Sequence, residues 1–486
     1  MGRGTPLPLP QAPPVQSENA ASLGSLAQII EAEAASAPRA LSPRVISGLG
    51  WSTAGRFAAL PAGAAVNVLV ARLLPPTDVG AYFVIINLVS ILALVSMLGL
   101  NQAVVRGVSE AMTRGRPAAA GAVVWTSLRI TTVVSIALGI AYLLVGKAVG
   151  HHVFGSAAIA GATAWIALFI PLTALRLLVP EAFRGFTDIK WATIVGDAAT
   201  NVTLAVALAV IVIGGWKTSL TQVLVVSVAL AAVLVVLSGE RLREKVRPLG
   251  IDPIGGRRLL RIALPLLATN LSWTLMVQID TILLGIFRSG ADVAYYVAGS
   301  RLAALLLVPL LIGSSFLAPL ITELWTERRF HDLERLLRTT AAATGLASGI
   351  GLVVLVLLGP WALTFLFGDY YRRGSTVLII LAASSFLTSM GGYCGLALMM
   401  AGEQMAAMVI TMFVAVVTIA GTAVAAHTSG AVGVAIAMAC GVALQNVLTF
   451  AAVRARLGIW AYPDFSFRGM RGPVTSLLAS VRLRGR

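Results

Sequence analysis

Charged residues are scarce in this sequence. They make up 12% of its 486 residues, whereas soluble domains carry about 25%. Hydrophobic residues reach 58% and the mean hydropathy is +0.90. A chain with so few charges cannot cover a water-exposed surface, and its long apolar stretches exclude an ordinary soluble domain. The composition predicts an all-α polytopic membrane protein.

Residues that build covalent or metal centres are also few. The two cysteines, Cys394 and Cys440, lie within apolar runs, which excludes a disulfide framework and a thiolate metal site. His151 and His152 are adjacent and lack a third ligand, so we expect no metal site there. The sequence has no phosphate-binding loop of the Walker A type and no constellation of catalytic residues. We therefore expect a protein that is not an enzyme and has no cofactor.

The net charge of +16 would suggest nucleic-acid binding in a soluble chain, but in a membrane protein its distribution reports topology. If the N-terminus is inside, most Lys and Arg residues of the loops and tails fall on the inner side. This bias predicts cytoplasmic termini and no nucleic-acid partner. The loops on the outer side hold fewer basic residues: Arg72, Lys147, Lys217, Arg288, Arg372 and Arg373.

Windows of about 20 apolar residues predict twelve membrane spans. We divide the chain into a disordered N-terminal tail (1–44), a six-span lobe (45–238), a basic linker (239–261), a second six-span lobe (262–454) and a basic C-terminal tail (455–486). The tails and the linker are expected in the cytoplasm. The predicted spans, numbered 1 to 12, are 46–71, 79–103, 121–146, 157–180, 191–213, 219–238, 262–287, 293–320, 339–359, 374–400, 405–427 and 431–453.

Short matches recur at a nearly constant offset. The sequence DVGAY at 78–82 matches DVAYY at 292–296, Phe154-Gly155 matches Phe367-Gly368, and Gly185 matches Gly402. The offsets are 214, 213 and 217. Two halves with an even number of spans share one orientation, so they should be related by an axis along the membrane normal.

Span 7 carries polar residues inside an apolar stretch. Asn270, Gln278 and Asp280 share one helical face with Trp273, and this face should line a cavity rather than contact lipid. Asp280 and Arg301 of span 8 are expected at similar depth on neighbouring helices. Three interpretations remain open: a structural ion pair, an ion-coupling Asp280 beside a substrate-binding Arg301, or an Arg301 that takes both roles in alternating states.

Other charged residues are expected within the membrane. Arg56 lies near Pro61 and Gly63 in span 1, where a bent helix could open a polar pocket, although the side chain could also extend to the interface. Arg129 and Arg176 are close enough to span ends to reach the interface. Asp197 in span 5 could face a cavity or couple an ion, and interhelical hydrogen bonding is the alternative.

Longer stretches resemble a known family. The run ARLLPPTDVGAYFVIINLVSILALVSMLGLNQAVVR at 71–106 is similar to the opening hairpin of polysaccharide-transport flippases, which belong to the multidrug/oligosaccharidyl-lipid/polysaccharide exporter superfamily. The second half adds Gln278-Ile279-Asp280 before LLG, then DVAYYVAGSRL at 292–302 and FGDYYRRGSTVLIILAASSFL at 367–387. The resemblance covers about residues 45–458.

This resemblance implies a flippase that moves a polyprenyl-(pyro)phosphate-linked oligosaccharide from the inner to the outer leaflet of a bacterial plasma membrane. The resemblance implies that cationic residues of a central cavity hold the phosphate: Arg56 and Arg301, with Arg129 as a weaker candidate. Asn270, Gln278 and Trp273 are expected as further substrate contacts because they lie on the polar face of span 7. Membrane lipids and glycan-synthesis proteins are the implied partners. The alternatives are a drug/cation antiporter of the same fold, or a scaffold of a glycan-synthesis complex that binds through its basic tail.

Overall fold

The computed structural model describes residues 43–249, 256–460 and 462. This part of the chain is helical and contains no β-strand. Residues 51–486 belong to one compact unit; residues 1–50 belong to a second unit, of which only a helical backbone from Pro43 is described. The predicted N-terminal tail lies almost wholly outside the described residues, as does most of the predicted C-terminal tail.

Twelve spans run through the described residues. Ten helices are long and apolar enough to cross a membrane; one of them contains two spans, and span 1 contributes a shorter apolar helix at Ala59–Leu73. The chain is thus a multi-pass helical membrane protein. The spans are 1, Pro43–Leu73; 2, Pro76–Ser96 with Leu100–Thr113; 3, Pro117–Ala148; 4, Thr163–Gly185; 5, Ile189–Thr193 with Ala199–Ile213; 6, Leu220–Val246; 7, Gly256–Phe287; 8, Gly290–Ala304 with Val308–Thr326; 9, Phe330–Phe367; 10, Ser375–Gly391 with Cys394–Met400; 11 and 12, both within Gln404–Leu457.

Several spans are interrupted where the apolar pattern continues. Span 2 bends at Leu98 and Gly99, whose φ angles are 50° and 80°. Spans 11 and 12 are separated by Gly430 alone, whose φ of 62° and ψ of −147° are accessible to glycine and not to residues with a Cβ. Spans 6 and 7 also extend into the predicted linker at 239–261, because helical turns continue beyond each apolar window.

The two lobes repeat each other in their turns. Gly115 after span 2 and Arg328 after span 8 both adopt a left-handed φ, of 67° and 56°. Thr187 and Gly402 do the same after spans 4 and 10, with φ of 59° and 88°. The predicted match of Gly185 with Gly402 is therefore two residues out of register, since Thr187 is the true structural equivalent.

Ion pairs repeat in the same way. Asp188 pairs with Lys245 at the end of span 6, and Glu403 lies 3.7 Å from Arg456 at the end of span 12. We call the end of the bundle that holds these turns the basic end. The opposite end, which holds the turn between spans 1 and 2 and the turn between spans 7 and 8, is the far end.

The buried cores differ between the two ends. At the far end one continuous core contains residues of both lobes, such as Val70 and Val89 from the first and Val297 and Leu378 from the second. At the basic end each lobe has its own core. That of the first lobe includes Leu259 and Ala263 from the start of span 7, so this half of span 7 packs on the first lobe. The lobes are thus joined most extensively at the far end.

Candidate functional site: a basic cavity in the first lobe

A cavity of about 280 Å³ lies among the spans of the first lobe. Its described wall includes polar groups from five of these spans, and among the described lining residues Arg301 comes from the second lobe. Span 1 contributes Gly63 and Asn67, and the amide of Asn67 donates to the carbonyl of Gly63 over 2.8 Å. The other polar or charged lining residues are Tyr82, Arg176, Thr200, Asn201 and Ser227.

Arg301 is placed at this wall because span 8 packs along span 2. Its side chain is exposed, although it lies well inside span 8, and it contributes to the lining of the cavity. The guanidinium is close enough to Tyr82 and Asp280 for electrostatic interaction. A cation from one lobe therefore borders a cavity that belongs to the other.

Arg176 is the second guanidinium of the wall. It donates a hydrogen bond to the hydroxyl of Thr200 over 3.1 Å. Its closeness to a span end led us to expect that Arg176 reaches the interface, and the structure instead places it at the cavity. Arg176 lies between Pro171 and Pro180 in span 4. Prolines inside a membrane helix mark irregular helices around functional cavities, so this position could have indicated the cavity from the sequence.

Asp280 is buried and hydrogen-bonded, but its closest partners are not those predicted. It accepts hydrogen bonds from the Tyr296 hydroxyl over 2.7 Å and from the Thr281 amide over 2.6 Å. Among the described residues no ion pair within 4.0 Å joins it to Arg301. The Tyr296 hydroxyl reaches across from span 8 and makes the direct contact, while Arg301 lies close enough to Asp280 for electrostatic interaction. The interpretation of Asp280 and Arg301 as a structural pair therefore stays a prediction.

The lobes differ at this level. With the offset of 214, Val66 and Tyr82 of the first lobe correspond to Asp280 and Tyr296 of the second. Val66 and Tyr82 line the open cavity, whereas Asp280 and Tyr296 are joined by a hydrogen bond in a packed region. The repeat therefore provides a chamber in one lobe and a buried polar pair in the other.

The remaining polar residues of span 7 lie elsewhere. Asn270 accepts a hydrogen bond from Gln102 over 2.9 Å and donates one to Asn101 over 3.4 Å, so it joins span 7 to span 2. Trp273 is 60% exposed and Gln278 is half-buried. None of the three belongs to the described lining of this cavity, and their role as substrate contacts stays a prediction.

Three further candidates are not among the described residues that line this cavity. Arg129 is exposed on span 3 and is absent from the described lining. The side chains of Arg56 and Asp197 lie outside the described residues. Their helical backbones place Arg56 two turns before Gly63 on span 1, and Asp197 three residues before Thr200 on span 5.

The described lining has the chemistry of an anion site. It contains two guanidinium groups and no carboxylate, together with hydroxyl and amide groups. Guanidinium groups bind phosphate through paired, charge-assisted hydrogen bonds, and these are strongest where water is restricted.

Comparison with protein families gives two matches. The family described as polysaccharide biosynthesis protein matches residues 45–325, and the MatE family matches residues 265–424. Comparison with curated protein sequences found no match.

Solved transporters share the fold. An inward-facing multidrug resistance MATE family transporter of the MOP superfamily is 16% identical, with 82% of this chain and 94% of that chain covered and a TM-score of 0.67. An outward-facing multidrug resistance MATE family transporter of the same superfamily is 17% identical, with 85% and 95% covered and a TM-score of 0.59. The lipid II flippase MurJ, in an inward closed conformation, is 13% identical, with 83% and 87% covered and a TM-score of 0.63.

The family match spans more than half of the chain, and the fold with its two six-span lobes is that of the MOP transporters. This chain belongs to the polysaccharide biosynthesis protein family, and it shares its fold with membrane transporters of the MOP superfamily.

Proposed function

We propose that this protein is a flippase that moves a polyprenyl-(pyro)phosphate-linked oligosaccharide from the inner to the outer leaflet of a bacterial plasma membrane. The observation that carries the proposal is the placement of Arg301 and Arg176 around one cavity whose described lining holds no carboxylate. A phosphate group needs such cations inside the membrane, because an unpaired anion there is costly. The family match and the fold shared with a lipid II flippase support the same substrate class.

The two lobes and their cores support alternating access as the mechanism. The far end is joined by a continuous apolar core, whereas at the basic end the lobes have separate cores. If the basic end faces the cytoplasm, as the positive-inside rule favours, this arrangement is an inward-facing one. Substrate would enter between the lobes from the cytoplasmic side and leave after the far end opens. Both termini are then cytoplasmic.

A drug/cation antiporter is the second candidate. The MATE transporters share the fold, and Asp280 is a buried carboxylate inside the membrane of the kind that couples ions. The basic lining of the cavity disfavours a cationic substrate, since two guanidinium groups would repel it. A scaffold function would depend on the basic C-terminal tail and not on the cavity.

The test uses purified protein in liposomes with a fluorescent probe, undecaprenyl diphosphate bearing one labelled sugar. Dithionite added outside destroys fluorescence in the outer leaflet, so its rate of loss reports movement between leaflets. We expect Arg301→Ala and Arg176→Ala to slow this movement at least about tenfold, the effect of losing one charge-assisted contact. Arg56→Ala tests the third cation in the same assay.

Arg372→Ala is the matched control, because Arg372 is exposed at the far end and outside the cavity. It should retain the parental rate. Parental movement in Arg301→Ala, Arg176→Ala and Arg56→Ala together would overturn the anion site. Proton-driven uptake of ethidium, with no movement of the diphosphate probe, would instead identify an antiporter.

A further inference from the structure

Arg72 joins the two lobes at the far end. It lies in the last turn of span 1, and its guanidinium reaches the end of span 9 in the other lobe. The Nε atom donates to the carbonyl of Leu366 over 2.8 Å, and Nη2 donates to the carbonyl of Phe365. Arg72 is exposed, so this contact lies at the surface of the joined region and not in its core.

The carbonyl groups that accept these hydrogen bonds explain why residue 72 is an arginine. The last carbonyls of a helix have no partner within that helix, and together they carry a partial negative charge. In span 9 the amide of Gly368 satisfies the carbonyl of Thr364 over 2.9 Å, and Arg72 satisfies the next two. The fork of the guanidinium fits two successive carbonyls, which a lysine would not match.

A second arginine makes the same contact within one lobe. Arg288 follows span 7, as Arg72 ends span 1 of the other lobe. Its Nε donates to the carbonyl of Ala426 over 3.0 Å, and Nη2 donates to that of His427 over 2.8 Å, at the end of span 11. Spans 7 and 11 belong to the same lobe. The described residues thus include two caps of the same chemical kind, of which one crosses between the lobes and one does not.

Arg72 lies at the same end of the bundle as the closest contact between the lobes. A Cβ at Gly80 of span 2 would lie 1.8 Å from the carbonyl oxygen of Gly290 in span 8, and one at Gly285 would lie 2.6 Å from a methyl group of Val84. The backbones therefore meet directly at the far end. Any opening of this end has to separate spans 2 and 8 and, with them, Arg72 from span 9.

We propose that Arg72 is a releasable latch that holds the far end closed by capping span 9, while Arg288 is a permanent cap that stays in place when the lobes move. The proposal takes from the proposed function only that the lobes alternate, and it does not depend on the substrate. The latch can be broken without leaving buried polar groups unpaired, because the freed carbonyls and the exposed guanidinium meet water or headgroups. It then forms again when the far end closes.

The test measures distance across the far end without substrate. Lys217 and Arg372 are exposed far-end positions in the first and second lobes. Both are replaced by cysteine and spin-labelled in a Cys394→Ala, Cys440→Ser background, and double electron–electron resonance is recorded in nanodiscs. We expect Arg72→Ala to raise the ratio of long to short distances about tenfold, the effect of a lost charge-assisted hydrogen bond.

Arg288→Ala is the matched control and should keep the parental distance distribution, with a lower melting temperature only. Arg72→Gln retains N–H donors without the charge, so it should give a smaller shift in the distance distribution than Arg72→Ala. It replaces Arg72→Ala in the test if that variant does not fold. An unchanged distribution in the folded Arg72 variants would overturn the latch, and so would an equal shift in Arg288→Ala. Because no lipid-linked probe is used, loss of flippase activity in the parent protein would leave this result readable.

Discussion

Asp280 and Tyr296 form a hydrogen bond of 2.7 Å between spans 7 and 8, and both side chains are buried. The corresponding pair in the first lobe, Val66 and Tyr82, makes no such bond and lines a cavity. At this depth the second lobe therefore has a hydrogen bond between two of its spans, whereas the first lobe has a cavity.

Replacing Tyr296 by Phe should destabilise the protein. The change removes one hydrogen bond to a buried carboxylate, which costs about 1.5 to 3 kcal/mol. A lower melting temperature in detergent is the expected measurement. Asp280→Asn retains an acceptor for the Tyr296 hydroxyl, so its melting temperature should be closer to that of the parent protein. If Tyr296→Phe melts at the parental temperature, the hydrogen bond does not stabilise this region.

Gly80→Ala should disrupt the joining of the lobes. The added Cβ would meet the carbonyl of Gly290 at 1.8 Å, and backbone cannot move aside as a side chain can. We expect a lower melting temperature and a wider far end in the spin-label measurement. Gly421→Ala is the control, because no heavy atom lies within 4 Å of its added Cβ. Parental distances in the Gly80→Ala variant would show that the spans tolerate separation here.

Arg301→Lys tests whether geometry or charge matters at the cavity. Lysine keeps the charge but loses the two-pronged guanidinium, so movement of the diphosphate probe should fall between the rates of the parent and of Arg301→Ala. The leaflet assay with the labelled diphosphate lipid measures this order. Equal rates for Arg301→Lys and the parent would mean that the site uses Arg301 only as a point charge.

The paired contacts at the basic end should differ in strength. Lys245 pairs with Asp188 and lies over the rings of Phe183 and Phe186, whereas Arg456 and Glu403 are 3.7 Å apart, with most of the Arg456 side chain exposed. Lys245→Ala should therefore cost about 1 to 2 kcal/mol and Arg456→Ala less than about 1 kcal/mol. Melting temperatures of the two variants compare them directly, and the reverse order would contradict the assignment.

Deleting residues 463–486 distinguishes transport from a scaffold role. A flippase should keep its rate in liposomes, because the cavity is formed by other residues. If the protein is a scaffold, the truncated protein should lose its binding to partners in cell extracts. Neither the full-length nor the truncated protein should then transport the probe. Loss of transport in a well-folded truncated protein would show that the tail contributes to the flippase itself.

The fold was predictable because membrane spans depend on length and hydropathy, which can be read from the sequence. The repeat was also visible in DVGAY and DVAYY, since Tyr82 and Tyr296 occupy equivalent places. The helix breaks at Gly99 in span 2 and at Gly392 in span 10 could not be predicted. Apolar residues continue on both sides of each break, and a hydropathy window averages over the bend.

The candidate site was only partly predictable. Depth along a helix can be counted, so Arg301 was found as an intramembrane cation. The direction of a side chain depends on packing between spans, so neither the place of Arg176 in the cavity nor the contact of Asp280 with Tyr296 followed from the sequence. Asn270 joins spans 2 and 7 for the same reason.

The shared core at the far end has a thermal consequence. Its buried side chains are almost all aliphatic or aromatic, so separating the lobes there transfers apolar surface to water with a large increase in heat capacity. The driving force that keeps such surface buried weakens on cooling. Lower temperature should therefore shift the population toward a state that is open at the far end, and warming should return it.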